Sequence, residues 1–458
     1  MNSKKIKITY IGGGSRGWAW TLMKDLALSE HLFGEVVLYD IDYNAAKNNE
    51  IIGNRIADDY PNASKWEYKA EKTLDKALEN TDVVVISILP ATFKEMESDV
   101  HTPEKFGIYQ SVGDTIGPGG IIRSLRTIPM FEVIAKAIER VSPNAWVINY
   151  TNPMTVCMRT LYRVFPKIKA FGCCHEVFST QELLCDVLKK IKGIEGLTRN
   201  DIKVNVMGVN HFTWLDKATY NGMDLLPVYR EYIEKIRNGE LSASKNLGPR
   251  DLVFESNEYV KMDLFMRFGL IAAAGDRHLA EFCPINWYMK SPQQVKEWGY
   301  GLTPVSWRFE NLAERLEKSR KLLNSEEKFE LKPSGEEGVR QIEAICGCGK
   351  LVTNVNMPNV GQIPNLPLGA VVETNAVFDN DSVTPVNAGE IPTRVLNLVA
   401  PVALEQEMIV EAGLTRNLDL AFEAFLSDAH MPLDMKDARI LFNEMVENTK
   451  NYLTDYNI

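Results

Sequence analysis

The strongest constraint on the fold is a glycine run close to the N-terminus. Gly12-Gly13-Gly14-Ser15-Arg16-Gly17 follows a β-rich stretch, Lys4 to Ile11, and precedes a helical pattern, Trp18 to Leu28. Strand, G-x-G-x-x-G and helix in that order read as the opening of a βαβ unit that binds a dinucleotide. Gly12 permits the tight turn, Gly14 lets the backbone approach a pyrophosphate, and Gly17 lets helix and strand pack closely. Ser15 and Arg16 lie in the same turn, where N–H groups at the helix start face the phosphates. A second strand, Glu35 to Tyr39, ends in Asp40, 23 positions past Gly17. An acid at that spacing bonds the ribose hydroxyls and favours NAD over NADP, because it repels a 2′-phosphate. The alternative is a glycine turn that holds no nucleotide.

Composition narrows the class. A chain of 458 residues exceeds the usual single core and implies two domains, expected at 1–200 and 201–458. The net charge of −10 argues against nucleic acid or an anionic membrane as the main partner. No stretch approaches the roughly 20 apolar residues of a membrane span. Seven cysteines without disulfide spacing, and an N-terminus with no apolar signal core, suit a reducing cytoplasm.

The rest of the first half reads as alternating strands and helices. Val83 to Leu89 is a continuous apolar run typical of a buried parallel strand, and it sets Leu89-Pro90 over the cofactor. A glycine-rich segment, Gly107 to Gly120, contains Asp114 as a catalytic candidate; its backbone is either shaped around a ligand or a surface loop. Trp146 to Asn149 ends in Tyr150-Thr151-Asn152-Pro153, a pattern similar to the strand-end Asn-Pro of lactate and malate dehydrogenases. A further strand, Ile168 to Phe171, leads into Gly172-Cys173-Cys174-His175-Glu176 and then a helix. A thiol, an imidazole and a carboxylate thus stand at a strand's carboxyl end, where open α/β sheets bind ligands.

In the second half, Lys203 to Gly208 and Phe212 to Tyr220 alternate like antiparallel strands, with His211 at their junction. Helices are expected over Leu226 to Arg237, Asp251 to Phe268 and Trp307 to Leu323. The cluster Asp276-Arg277-His278 reads better as a site wall than as a helix face, or else as a structural salt-bridged cluster. Lys332 to Gly338 is the most mobile-looking segment. Without resemblance, the candidates for chemistry are Cys174, His175, His211, Asp276 and His278, and a thiolate with an imidazole makes a plausible metal pair.

The motifs IGGGSRGW, TNP at Thr151, GCCHEVF from Gly172 and GVNHFTW from Gly208 together resemble glycoside hydrolase family 4. With SVGDTIGPGG, AAGDRHLAEF and LVTNVNMPN, the chain looks most like the bacterial branch that cleaves α-galacturonides. The resemblance implies an α/β fold: a Rossmann-like, doubly wound, mainly parallel sheet plus a C-terminal α+β domain, as in lactate and malate dehydrogenases. It implies NAD and Mn²⁺ (or another divalent metal), with Cys174 and His211 as metal ligands. Asn152 would touch the sugar, His175 would assist the leaving group as acid, and Asp276 would be the base, although some relatives use other residues for both roles. Manganese matches a thiolate poorly by hardness, which implies exchangeable binding.

Family 4 departs from the paired-carboxylate rule of most glycosidases. Its route oxidises C3 with NAD, removes the C2 proton, eliminates the C1 substituent, adds water and re-reduces, with no net oxidation. A uronate also needs a cation for its carboxylate; Arg277 and His278 are the expected partners, with Arg123 and Arg126 as alternatives. Other outcomes are an α-glucuronidase or α-galactosidase of the same family, a lactate/malate-type dehydrogenase, or a nucleotide-binding sensor. The expected partner is a small glycoside or uronide, and relatives imply a homo-oligomer, dimer or tetramer.

Overall fold

The computed structural model describes residues 3–243, 255–429 and 431–458. Six strands from the first half pair in parallel: β1 (Lys4–Ile11), β2 (Leu32–Tyr39), β3 (Trp66–Glu71), β4 (Val83–Ile86), β5 (Trp146–Asn149) and β6 (Lys169–Gly172). Their spatial order, read from one edge, is β6-β5-β4-β1-β2-β3. That is the doubly wound order of dinucleotide-binding folds, in which the ligand crevice opens between β1 and β4. In β4 all four residues are buried. Val83 and Val85 enter the core on one face, and Val84 and Ile86 that on the other. Successive side chains of a strand point to opposite faces, so a parallel strand covered by helices on both sides must be apolar throughout.

Two hairpin strands, β7 (Lys203–Val209) and β8 (Phe212–Tyr220), form a second, antiparallel sheet with β9 (Met223–Asp224) and β10 (Ile271–Ala272). The chain then returns to the first sheet. β11 (Leu351–Pro358), β12 (Val371–Asp379) and β13 (Ser382–Pro385) add antiparallel strands beyond β6, giving nine in all. Phe378 of β12 stands edge-on to Phe171 of β6 at 5.1 Å. The halves expected at 200/201 therefore share one sheet, although each carries its own part of the site. Helices Thr393–Thr415, Leu418–Ser427 and Met435–Thr449 complete the chain and pack with Gly117–Val141 into the largest core.

Some elements differ from expectation. The strand expected to reach Leu89 ends at Ile86, and Leu89 is exposed in the loop beyond. The helix expected over Asp251 to Phe268 runs Tyr259–Phe268, and 251–254 lie outside the described residues. Asp276-Arg277-His278 opens a short helix, Asp276–Glu281, where a wall of irregular chain was expected. The 332–338 segment is pinned at several points: Ser334 N–H donates to Asp25 at 2.9 Å, and Arg199 donates to the Gly335 carbonyl at 3.1 Å. All seven cysteines are free thiols, and no helix among the described residues is long and apolar enough to cross a membrane.

Candidate active site

The nucleotide loop sits at the carboxyl end of β1. Gly12 has φ +96°, and a Cβ there would collide with the Ser87 carbonyl oxygen beyond β4. Gly14 N–H donates to Asp40 at 2.8 Å and Asp42 N–H donates to the other oxygen at 2.9 Å. The Asp40 carboxylate is thus aimed into the crevice while lone pairs remain for ribose hydroxyls. Burial pushes its pKa up, against these N–H bonds and the nearby Arg16. Asn49 donates to the carbonyls of Gly13 at 2.7 Å and Ser15 at 2.9 Å and so pins the loop. No local motif marks Asn49; only the packing of its helix under the loop reveals it. The cradle fits a dinucleotide, because the backbone comes close and side chains are excluded.

The strand ends of β5 and β6 deliver the second part. Cys174 is buried beside Glu176 and Glu373, and its thiol lies well above the usual range, from burial first and these carboxylates second. Asn354 donates to the Cys174 carbonyl at 3.1 Å and to Glu373 at 2.6 Å, and Asn210 donates to Glu373 at 3.1 Å. This network joins the Cys174 turn to the corner between β7 and β8, where His211 takes a left-handed φ of +65°. The carboxyl of Glu373 is pushed up to about 7 by burial.

His211 is set by two residues of the glycine-rich loop. Its Nδ1 lies 3.0 Å from Thr115 Oγ1, and that hydroxyl donates to Asp114 at 2.7 Å. Asp114 stays ionised: burial is the largest single influence and opposes its charge, but Arg123, the two histidines His211 and His278 and the Thr115 hydroxyl together outweigh it, with pKa held down at about 2. A threonine has one hydroxyl proton, and an ionised carboxylate can only accept. Nδ1 of His211 therefore donates to Thr115, and Nε2 keeps the lone pair that a metal requires. Burial, then the neighbouring His278, lowers the His211 pKa to about 3, so the ring is neutral.

His278 stacks on His211 with centroids 4.0 Å apart. Its Nε2 lies 3.6 Å from Glu176, while Nδ1 is buried without a hydrogen-bond partner among the described residues. Glu176 in turn accepts from Gly275 N–H at 2.7 Å. Asn152 donates to Asp114 at 3.2 Å, and Arg123 donates to the Asn152 carbonyl at 3.1 Å. His175 is half-exposed; its Nδ1 lies 3.2 Å from Glu336, which raises its pKa to about 9, and its ring stacks on Trp18.

Three expected participants are committed elsewhere. Both carboxylate oxygens of Asp276 accept backbone N–H groups, from Val260 at 3.2 Å and Lys261 at 3.0 Å, at the start of the helix Tyr259–Phe268. Arg277 donates to the Ser111 carbonyl at 2.6 Å and to the Thr303 hydroxyl, so it anchors the glycine-rich loop. Arg126 is closed off in a buried pair with Asp99. Arg308, which no motif singles out, reaches in from the helix Val305–Leu323 and acts electrostatically on Asp114 and Arg123.

Among the described residues no three histidine, cysteine or acidic side chains form a ready metal cage. The donor set nonetheless fits a divalent cation: a buried thiol beside two carboxylates, and an imidazole with its lone pair exposed by the Thr115 bond.

Residues 7–190 match the Family 4 glycosyl hydrolase family, and residues 206–431 match its C-terminal domain. An alpha-galacturonidase from Thermoanaerobacterium saccharolyticum is 58% identical over 99% of this chain and 97% of its own length. The crystal structure of lplD from Bacillus subtilis superposes with a TM-score of 0.90 at 50% identity, over 96% of this chain and 99% of that one. A 6-phospho-alpha-glucosidase from gut microorganisms, in complex with NAD and Mn²⁺, shares the fold with a TM-score of 0.80 at 20% identity, over 98% and 99% of the two chains.

Proposed function

This chain belongs to the family 4 glycosyl hydrolases, and from that premise we propose that it cleaves α-linked galacturonides, using NAD and a divalent cation. The near-full-length identity of 58% to an alpha-galacturonidase carries the substrate assignment. The chain's own glycine cradle and Asp40 support the dinucleotide, and Cys174 with His211 would hold the cation. When bound, these groups supply reversible hydride transfer and Lewis acidity at adjacent sugar oxygens.

The remaining work falls to side chains. Asp114 and Thr115 fix the His211 tautomer, and Asp114 also accepts from the Asn152 side-chain amide, leaving Asn152 Oδ1 for a sugar hydroxyl. His278 has an open Nδ1 inside the cluster and is better placed to take a proton than Asp276, whose two oxygens are already bonded. His175, beside Glu336, holds the proton for the leaving oxygen. Arg123, a guanidinium buried beside Asp114, is the cation assigned to the uronate, with Arg308 adding positive charge on the same side. Residues 1–200 supply the nucleotide cradle and Cys174, and residues 201–458 supply His211 and His278. The free thiols suit a reducing cytoplasm.

The test is turnover of an aryl α-galacturonide in D₂O with NAD, Mn²⁺ and a thiol reductant. We expect phenol release, deuterium at C2 of the freed sugar and no accumulating NADH. Release without C2 deuterium would overturn the proton-abstraction route. NADH formed in proportion to substrate would favour a dehydrogenase instead.

A further inference from the structure

One helix of the second half lies against the nucleotide loop of the first. Val305–Leu323 packs on the helix Tyr43–Asp59, where Arg55 donates to the Leu323 carbonyl at 3.0 Å. This places Arg315 on Gly17: a Cβ built on that glycine would collide with Nη1 of Arg315 and lie 3.2 Å from Cζ. Gly17 closes the G-x-G-x-x-G run. The loop's own arginine, Arg16, acts on Asp40, toward the ribose side of the crevice. Among the described residues no carboxylate pairs with Arg315, whereas Arg320 on the same helix is held by Glu317 and Glu326.

We propose that Arg315 is the cation that binds the pyrophosphate of the dinucleotide, so that the second half of the chain completes the nucleotide site. The proposal rests on the NAD reading given above. A guanidinium suits this task because its planar fork engages two phosphate oxygens at once, and lysine offers only a point charge. Arg308 lies two turns earlier on the same helix, about 10 Å away at 1.5 Å per residue. A single helix thus carries one arginine to the cofactor's anion and another to the sugar pocket.

Titration calorimetry with NAD, ADP and adenosine tests the assignment on the full chain and on R315Q, R315K and R320Q. Loss of a charged hydrogen-bonding partner lowers affinity by about ten- to a hundredfold. R315Q is expected to lose that much for NAD and ADP while binding adenosine as before. R315K should recover part of the loss, and R320Q, whose side chain pairs with Glu317 and Glu326, should match the parent. Unchanged ADP and adenosine affinities in R315Q would overturn the proposal while leaving the nucleotide site intact. An equal loss for adenosine would assign Arg315 a merely structural role and also overturn it. If the parent chain bound no NAD, the nucleotide reading itself would fall.

Discussion

At Gly14 the backbone leaves no room for a side chain: a Cβ would lie 2.7 Å from that of Ala45 and 2.9 Å from the Asp40 carboxylate. Both neighbours are set by the second βαβ segment, so neither can retreat without moving the ribose-binding acid. Overpacking of this kind costs about 1–3 kcal/mol. Gly14→Ala should therefore lower the thermal midpoint and also shrink the rise that NAD produces. Melting curves with and without NAD check both effects, and an unchanged NAD-induced rise would count against the cradle. The same scale shows where sequence reading stops. Cys174 and His211 were legible because each closes a strand at a recognisable motif. The role of Thr115 was not, because it depends on a hydroxyl meeting an imidazole 96 positions away.

Among the elements, Phe93–His101 and Gly117–Val141 are joined by a buried ion pair in which Arg126 Nη1 donates to Asp99 at 3.0 Å. Both side chains are about 1% exposed. The second helix also presents Arg123 to Asp114, so its placement fixes the charge balance around Asp114. Replacing Asp99 with asparagine leaves a buried guanidinium without its counter-charge, a loss of about 3–5 kcal/mol. Denaturant unfolding of Asp99→Asn should show that drop in stability, and a change below 1 kcal/mol would mean the pair is dispensable to the packing. The sequence marked the glycine-rich start of this helix but not the pairing, since nothing local distinguishes Arg126 from Arg123. Likewise Arg277 stood next to the expected base, yet its direction was decided by the loop at Ser111 and by Thr303.

For the whole molecule, the shared sheet has a direct consequence. β6 is covered by β11, and the core on one face of the first sheet includes Leu322, Ile342, Val355 and Phe378 from the second half. A fragment of residues 1–200 would expose Phe171 and Trp146 and leave β6 as a bare edge, the arrangement that favours aggregation. Expressed alone, that fragment should be insoluble or unfold without a cooperative transition by circular dichroism. A soluble fragment that melts cooperatively and binds NAD would refute this dependence.

The sequence by itself determined the parts whose physics is local. A glycine run between strand and helix can hardly do other than turn tightly, Asp40 follows at the distance one βα unit imposes, and Cys174 and His211 end strands that their own apolar patterns define. Tertiary structure decided which groups are available. Asp276 is taken by a helix start, Arg277 by a loop, and His278 is left open at Nδ1. It also brought Arg308 and Arg315 from one distant helix to Asp114 and to Gly17. The reason is that a side chain's chemistry depends on its hydrogen-bond partners, and only the folded chain decides whether those lie 15 positions away, as for Asp276, or 166, as for Arg277.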